Sequence, residues 1–416
     1  MSKTPFPAYQ EKIMLIRDPL VHATYFYLRE APGDNLGRRQ DRHEAFVADV
    51  YRMLQSVSGW LSMPEPALPR MSFWEAEAPV DARLVMETGE LQGRINASAW
   101  LHAYVLRNML LLHVSVSRIG EHEQSVWSIL DEALGDAPTT PSWLHTTRYW
   151  CGTASRPPEN LEQERSLPIK TSFGVLCLGR GTTSHLLVYS DARTQGRANV
   201  YLRGLAAELD WYRVQAQYRL EQYDSRASGS ERMQQQALDR IAQSLHHWST
   251  PGGKNRLRSL APLHTELEVL ESTYNTTLAD RVSTEAMAQE MQSLVTGYQL
   301  TLMRSGLWDA APTVWESQVA ELKMLQGRVE ADLYHIETTL HRIDILIQSM
   351  QTRIMMLQGE RERLLVYMLA LLGMAVLTVL VADTDITRMV VRLLALIVVA
   401  GVVWFTWQRW LRARLP

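Results

Sequence analysis

The sequence is poor in the residue types on which site chemistry most often rests. Its 416 residues include two cysteines, Cys151 and Cys177. Their separation makes neither a CxxC redox pair nor a zinc site, and both lie in apolar segments where a small buried hydrophobe is expected. Lysine is scarce: Lys3, Lys12, Lys170, Lys254 and Lys323 are the only ones, so arginine supplies nearly all the positive charge. The formal net charge of -3 removes the basic surface that a nucleic-acid partner would require. No GxSxG, HExxH or Walker A pattern occurs. The chain is therefore expected not to be an enzyme, and neither a cofactor nor a metal is expected. The opening MSKTPFPAYQEKIML holds no apolar run of signal-peptide length, so most of the chain is expected to stay in the cytoplasm.

What is present divides the chain in four. Residues 1–195 read as a cytosolic α+β sensing domain. Val21 to Leu28 is rich in β-branched and aromatic residues and predicts a strand. Phe46, Val50, Leu54 and Val57, within Asp41 to Val57, recur at helical spacing. Pro64, Pro66, Pro69 and Pro79 mark a loop. Ala97 to Ser117 alternates, with Trp100, His102 and Tyr104 on one face, and predicts two strands turning near Arg107-Asn108, with a single helix as the alternative that LRNMLLL also fits. Glu121 to Leu134 predicts a helix ending at Gly135. Thr146–Thr153, Thr171–Leu178 and His185–Tyr189 predict further strands. Between the last two, Gly179 to Ser184 lacks the ending of a phosphate loop and precedes a strand, so a hairpin turn is expected. The sheet should be mostly antiparallel, with helices on one face.

Residues 196–312 read as long stalk helices. Leu205, Leu209, Tyr212, Ala216, Leu220 and Tyr223 form a helical stripe. A break is expected at Ser225 to Ser230, then helix to Trp248, a firm break at Thr250-Pro-Gly-Gly253, and a second helix over Arg258 to Met303. Adjacent His246-His247 point about 100° apart on a helix, which does not favour a shared metal. His335 and His341, six apart, do not share a face either.

Residues 313–363 carry the most regular pattern. Leu322, Leu325, Val329, Leu333, Ile336, Leu340, Ile343, Ile347, Met350, Ile354 and Leu357 follow spacings of 3 and 4 with one stutter at Val329–Leu333. This is a heptad seam, and self-association through it is expected. Residues 364–416 hold two apolar stretches, Leu364–Ala382 and Met389–Trp407, around a six-residue polar loop. Each is long enough for a hydrocarbon layer of roughly 30 Å, which predicts a transmembrane hairpin in a bacterial inner membrane. Arginines on both flanks put both termini in the cytoplasm. Asp383, Asp385, Arg388 and Arg392 are the loop or pore candidates, an acidic mouth opposed by two arginines. The overall expectation is an α+β domain, a coiled-coil stalk running unbroken into the first span, and a two-helix transmembrane hairpin.

That layout resembles the CorA divalent-cation channels in architecture alone. Their Gly-Met-Asn signature after the first span is absent, and Val381-Ala-Asp-Thr-Asp385 stands there instead. The helices Asn199–Tyr223, Leu263–Tyr274 and Met324–Arg363 are similar to those of the caspase- and TPR-associated (CATRA) proteins of bacterial conflict systems. These resemblances imply a homo-oligomeric membrane effector of antiphage defence, gated by a nucleotide messenger or protein partner at the N-terminal domain and permeabilising the inner membrane. The alternatives they imply are a divalent-cation channel, or a membrane tether for a caspase-like protease.

Overall fold

The computed structural model describes residues 15–31, 34–63, 83–88, 90–93, 96–123, 125–135, 138–154, 168–179, 184–225, 239 and 261–381, with single positions from 390 to 404. The chain forms two compact units. Unit 1 comprises residues 1–221 and 290–326, and unit 2 comprises residues 222–289 and 327–416.

Unit 1 is built on a ten-stranded sheet. Its strands are β1 (Leu15–Leu28), β2 (Arg83–Glu87), β3 (Leu91–Gln92), β4 (Ala97–Leu106), β5 (Met109–Arg118), β6 (Glu121–Glu123), β7 (Trp143–Thr153), β8 (Ile169–Thr171), β9 (Gly174–Cys177) and β10 (Ser184–Tyr189). The order is β2-β4-β5-β1-β7-β10-β9-β8, with β3 on β4 and β6 on β1. Every pairing is antiparallel except β7 with β10. The expected β4–β5 hairpin is present and turns at Arg107-Asn108, where Arg107 takes a left-handed φ of 54°. Its guanidinium lies 4.1 Å over the Trp211 ring and donates to Tyr212 Oη at 3.2 Å. The hairpin tip is thereby held against a helix rather than left in solvent. The stretch expected as one helix over Glu121–Leu134 is strand β6 followed by a shorter helix, α2 (Val126–Ala133).

The central strand β1 is buried over nearly its whole length, and alternation sends successive side chains to opposite faces. Val21, Ala23, Tyr25 and Tyr27 join one core with α1 (Leu36–Trp60) and α2, where Phe46, Val50, Leu54, Trp127 and Leu130 pack. Asn35 caps α1 by accepting from Arg38 N, which fixes where the helix starts. The opposite face is covered by α3 (Ala192–Tyr201), a π-turn over Leu202–Ala206, and α4 (207–225). Helices thus lie on both faces, not on the one expected. The cause is visible in the sequence: β1 and β5 keep large apolar residues on both sides, with Leu20, Phe26, Met109 and Leu111 buried on the side of α3 and α4 beside polar His22 and His113.

The remaining helices are α5 (Ala261–Arg304), α6 (Leu307–Ala310) and α7 (Pro312–Val381). In unit 2, Leu263 and Leu270 of α5 form a core with Ile343, Met350 and Ile354 of α7, flanked by Leu267, Tyr274, Ile347 and Leu357. The start of α5 meets the later part of α7, and Arg281 meets Glu337 at 3.1 Å, so the two helices run antiparallel.

The transmembrane hairpin is corrected. Among the described residues no helix is long and apolar enough to cross a membrane. The described part of the first stretch is the continuation of α7, which runs from Pro312 to Val381, and no hairpin of two spanning helices is found among the described residues. The expected inner-membrane location is therefore not supported by the described helices. The Pro64–Pro79 loop, the break after Ser225, His246-His247 and the Thr250–Gly253 break lie outside the described residues.

Candidate functional site

The sheet register places five polar or aromatic residues in one row across the face beneath α3 and α4. Trp100 is opposite Ser115, Ser115 opposite His22, His22 opposite Tyr149, and Tyr149 opposite His185. The adjacent row is His102, His113, Thr24 and Thr147. In both rows the strand positions are those that alternation sends away from the apolar core. His22, His113, His185, Thr24, Thr147 and Ser115 are all buried.

Buried polar atoms in such rows need partners, and a continuous chain of hydrogen bonds supplies them. Ser115 Oγ lies 2.6 Å from His22 Nδ1, and His22 Nε2 lies 2.9 Å from His113 Nδ1. His113 Nε2 in turn pairs with the Tyr104 hydroxyl. All four ring nitrogens are occupied. Two proton orders satisfy the chain. In one, Ser115 donates to His22, His22 to His113, and His113 to Tyr104; in the other every bond is reversed.

Burial fixes the charge state of this chain. It lowers the His22 pKa to about 3, with the nearby Arg203 cation and His102 acting in the same direction. His113 is pushed well below the ordinary imidazole value by burial first, then by His22, His102 and Arg203. Burial raises Tyr104 in the opposite sense. At neutral pH the chain therefore holds two neutral imidazoles and a neutral phenol.

A second polar group adjoins the first row. Tyr149 Oη donates to Asp210 Oδ2 of α4 at 3.3 Å. Burial raises Asp210 to about 6, opposed by Arg213 and by hydrogen bonds from Thr147 and Tyr149. His185 Nδ1 accepts from Gly179 N at 3.1 Å, tying the start of the expected Gly179–Ser184 turn to the row; residues 180–183 lie outside the described residues. At the β4 side, Arg203 of the π-turn stacks 4.6 Å over the Trp100 ring.

Chemically these groups organise the fold more than they react. The two linked imidazoles spend every nitrogen on protein partners and are sealed from solvent, so neither reaches a substrate or a metal. Among the described residues no group of three or more His, Cys, Asp or Glu is placed to hold a metal ion. Cys151 and Cys177 are buried and not joined in a disulfide, and burial raises the Cys151 thiol, which leaves it unreactive.

Of the residues singled out from sequence, the seam is the part that can be traced. Leu322, Val329, Leu340, Ile343, Met350 and Ile354 are buried, and Leu325, Leu333, Ile336, Ile347 and Leu357 are half-buried. From Ile343 to Leu357 the seam is filled by α5 of the same chain. Asp383, Asp385, Arg388 and Arg392 lie outside the described residues. His335 and His341 are exposed on α7. Sequence reading missed the buried polar rows. One signal for them was available, since Trp100, His102 and Tyr104 alternate on one side of a predicted strand. Compared with protein-family models, curated proteins and solved structures, the chain matches none.

Proposed function

We propose that the protein is a non-catalytic regulatory effector: unit 1 receives a ligand or protein partner, and the long helices deliver the response by associating with further copies. The observation that carries this reading is the continuity of α7. Pro312 to Gln326 belong to unit 1, Gly327 onward belongs to unit 2, and the helix has no interruption from Pro312 to Val381. An uninterrupted helix passes displacement along its axis because its backbone hydrogen bonds resist local bending. The sealed imidazole chain supports the non-catalytic part, since it offers no group to a substrate. Antiphage defence is the setting that the CATRA resemblance implies, and it enters as part of the proposal. Permeabilisation of an inner membrane is not part of it.

A phage challenge of cells carrying the full chain with its genomic neighbours tests the reading. Fewer plaques than with empty vector are expected, and Met350→Asp, which disrupts the α5–α7 core, should abolish the effect. Plaque numbers equal to those of empty vector contradict the proposal.

A further inference from the structure

Asp210 is buried on α4, and every group that acts on it belongs to unit 1. Its carboxylate is held by hydrogen bonds from β7: Tyr149 Oη donates to Oδ2 at 3.3 Å, and Thr147 donates as well. The cation that acts on it, Arg213, stands one turn further along α4. That guanidinium, itself mostly buried, reaches a different carboxylate, Glu321 of α7, at 3.9 Å.

The other titratable groups around the pair are Tyr104 of β4, Tyr201 of α3 and Tyr298 of α5, phenols that burial keeps neutral. His145 of β7 lies near Arg213, and burial lowers it to about 4, so it too is neutral around pH 6. Three charges remain. One guanidinium on α4 serves two carboxylates, one beside it on the same helix and one on α7. With Asp210 ionised the group has one negative charge in excess; with Asp210 protonated it is balanced.

A buried carboxylate that lacks a cation in direct contact takes up a proton more readily than one in water. Burial accordingly raises Asp210 to about 6. Protonation withdraws Asp210 from the competition for Arg213, whose full charge then acts on Glu321. We propose that Asp210 is a proton-operated latch on the first turns of α7: when its carboxyl is protonated, Arg213 holds Glu321 and residues 313–326 more tightly, and when it is ionised that hold slackens. The helix so held is the one that runs uninterrupted from unit 1 into unit 2. Acidification is thus an input to the long helices that needs no ligand, and it operates whether or not further copies associate.

Hydrogen–deuterium exchange of the full chain, followed by mass spectrometry at about pH 5 and about pH 7.5 and corrected for the intrinsic pH dependence of amide exchange, tests the latch. Peptides covering 313–326 should be roughly threefold to tenfold more protected at the lower pH. Asp210→Asn, uncharged at either pH, should show the higher protection at both. Glu321→Gln, at a partly exposed position, should keep its far-UV helical signal and show the lower protection at both. Equal protection of the unmodified segment at the two pH values would overturn the latch, and so would a pH response of that segment surviving in Asp210→Asn or in Glu321→Gln.

Discussion

His113 Nδ1 stands 2.9 Å from His22 Nε2, so two buried imidazoles are joined to each other as well as to Tyr104 and Ser115. The chain crosses β4, β5 and β1, and it is complete only when all four side chains are present. Replacing His22 with Ala leaves His113 and Ser115 without their partner inside the core. The expected loss of unfolding free energy is roughly 2–4 kcal/mol, read from urea denaturation followed by tryptophan fluorescence. His22→Gln, which keeps a donor and an acceptor, should lose less.

The same pair sets a dependence on pH. The folded pKa values of His22 and His113 lie below the unfolded value of 6.5, so below that pH the unfolded chain binds more protons. The stability these groups contribute is present above pH 6.5 and is lost as pH falls toward about 3 for His22. Asp210 acts in the opposite direction. Its folded pKa of about 6 exceeds the unfolded 3.8, so its contribution is present below 3.8 and is lost as pH rises through 6. Asp210→Asn should therefore raise Tm more at pH 7 than at pH 5. An equal effect at both values would contradict the burial assigned to Asp210.

Close approach of helices gives a further prediction. A Cβ added at Gly297 would lie 2.5 Å from the Tyr212 ring, the ring that also receives Arg107. Gly297→Ala should cost about 1–3 kcal/mol through overpacking. Gly327 lies inside α7 with nothing within 4 Å of such a Cβ, so Gly327→Ala should gain up to about 1 kcal/mol. Thermal denaturation of the two variants side by side checks the difference in sign.

The seam and the exposed later turns of α7 should respond differently to the same change. Met350 is fully buried against α5, and Met350→Asp places an uncompensated charge there. A destabilisation of about 3–5 kcal/mol is expected, with loss of helical signal on mild denaturation. Leu371→Asp alters an exposed position and should leave that transition unchanged.

Local pattern revealed much of this fold. The β4–β5 hairpin was legible because Ala97–Ser117 alternates around Arg107-Asn108, and α7 because its apolar positions keep one period without proline. What escaped was long-range. The pairing of His22 with His113 and Ser115 joins residues more than ninety apart, and no local period encodes which strands become neighbours. Helices on both faces of the sheet could have been read from the apolar residues that β1 carries on each side, Leu20 and Phe26 on one and Val21 and Tyr25 on the other. From Ile343 to Leu357 the seam packs against α5, and heptad spacing does not say whether the partner is another chain or α5. Two apolar stretches of spanning length with arginine flanks suggested a transmembrane hairpin, and no described helix is long and apolar enough to cross a membrane.

Cysteine cross-linking in cells tests the assembly claim most directly. Cys151 and Cys177 are buried, so an introduced cysteine can be read against a quiet background. Oxidation of Leu371→Cys, at an exposed apolar position of α7, should give a disulfide-linked dimer. Met350→Cys, at a buried position filled by α5 of the same chain, should remain a monomer. Absence of a dimer for Leu371→Cys, or equal dimer for both, would contradict assembly through the long helices.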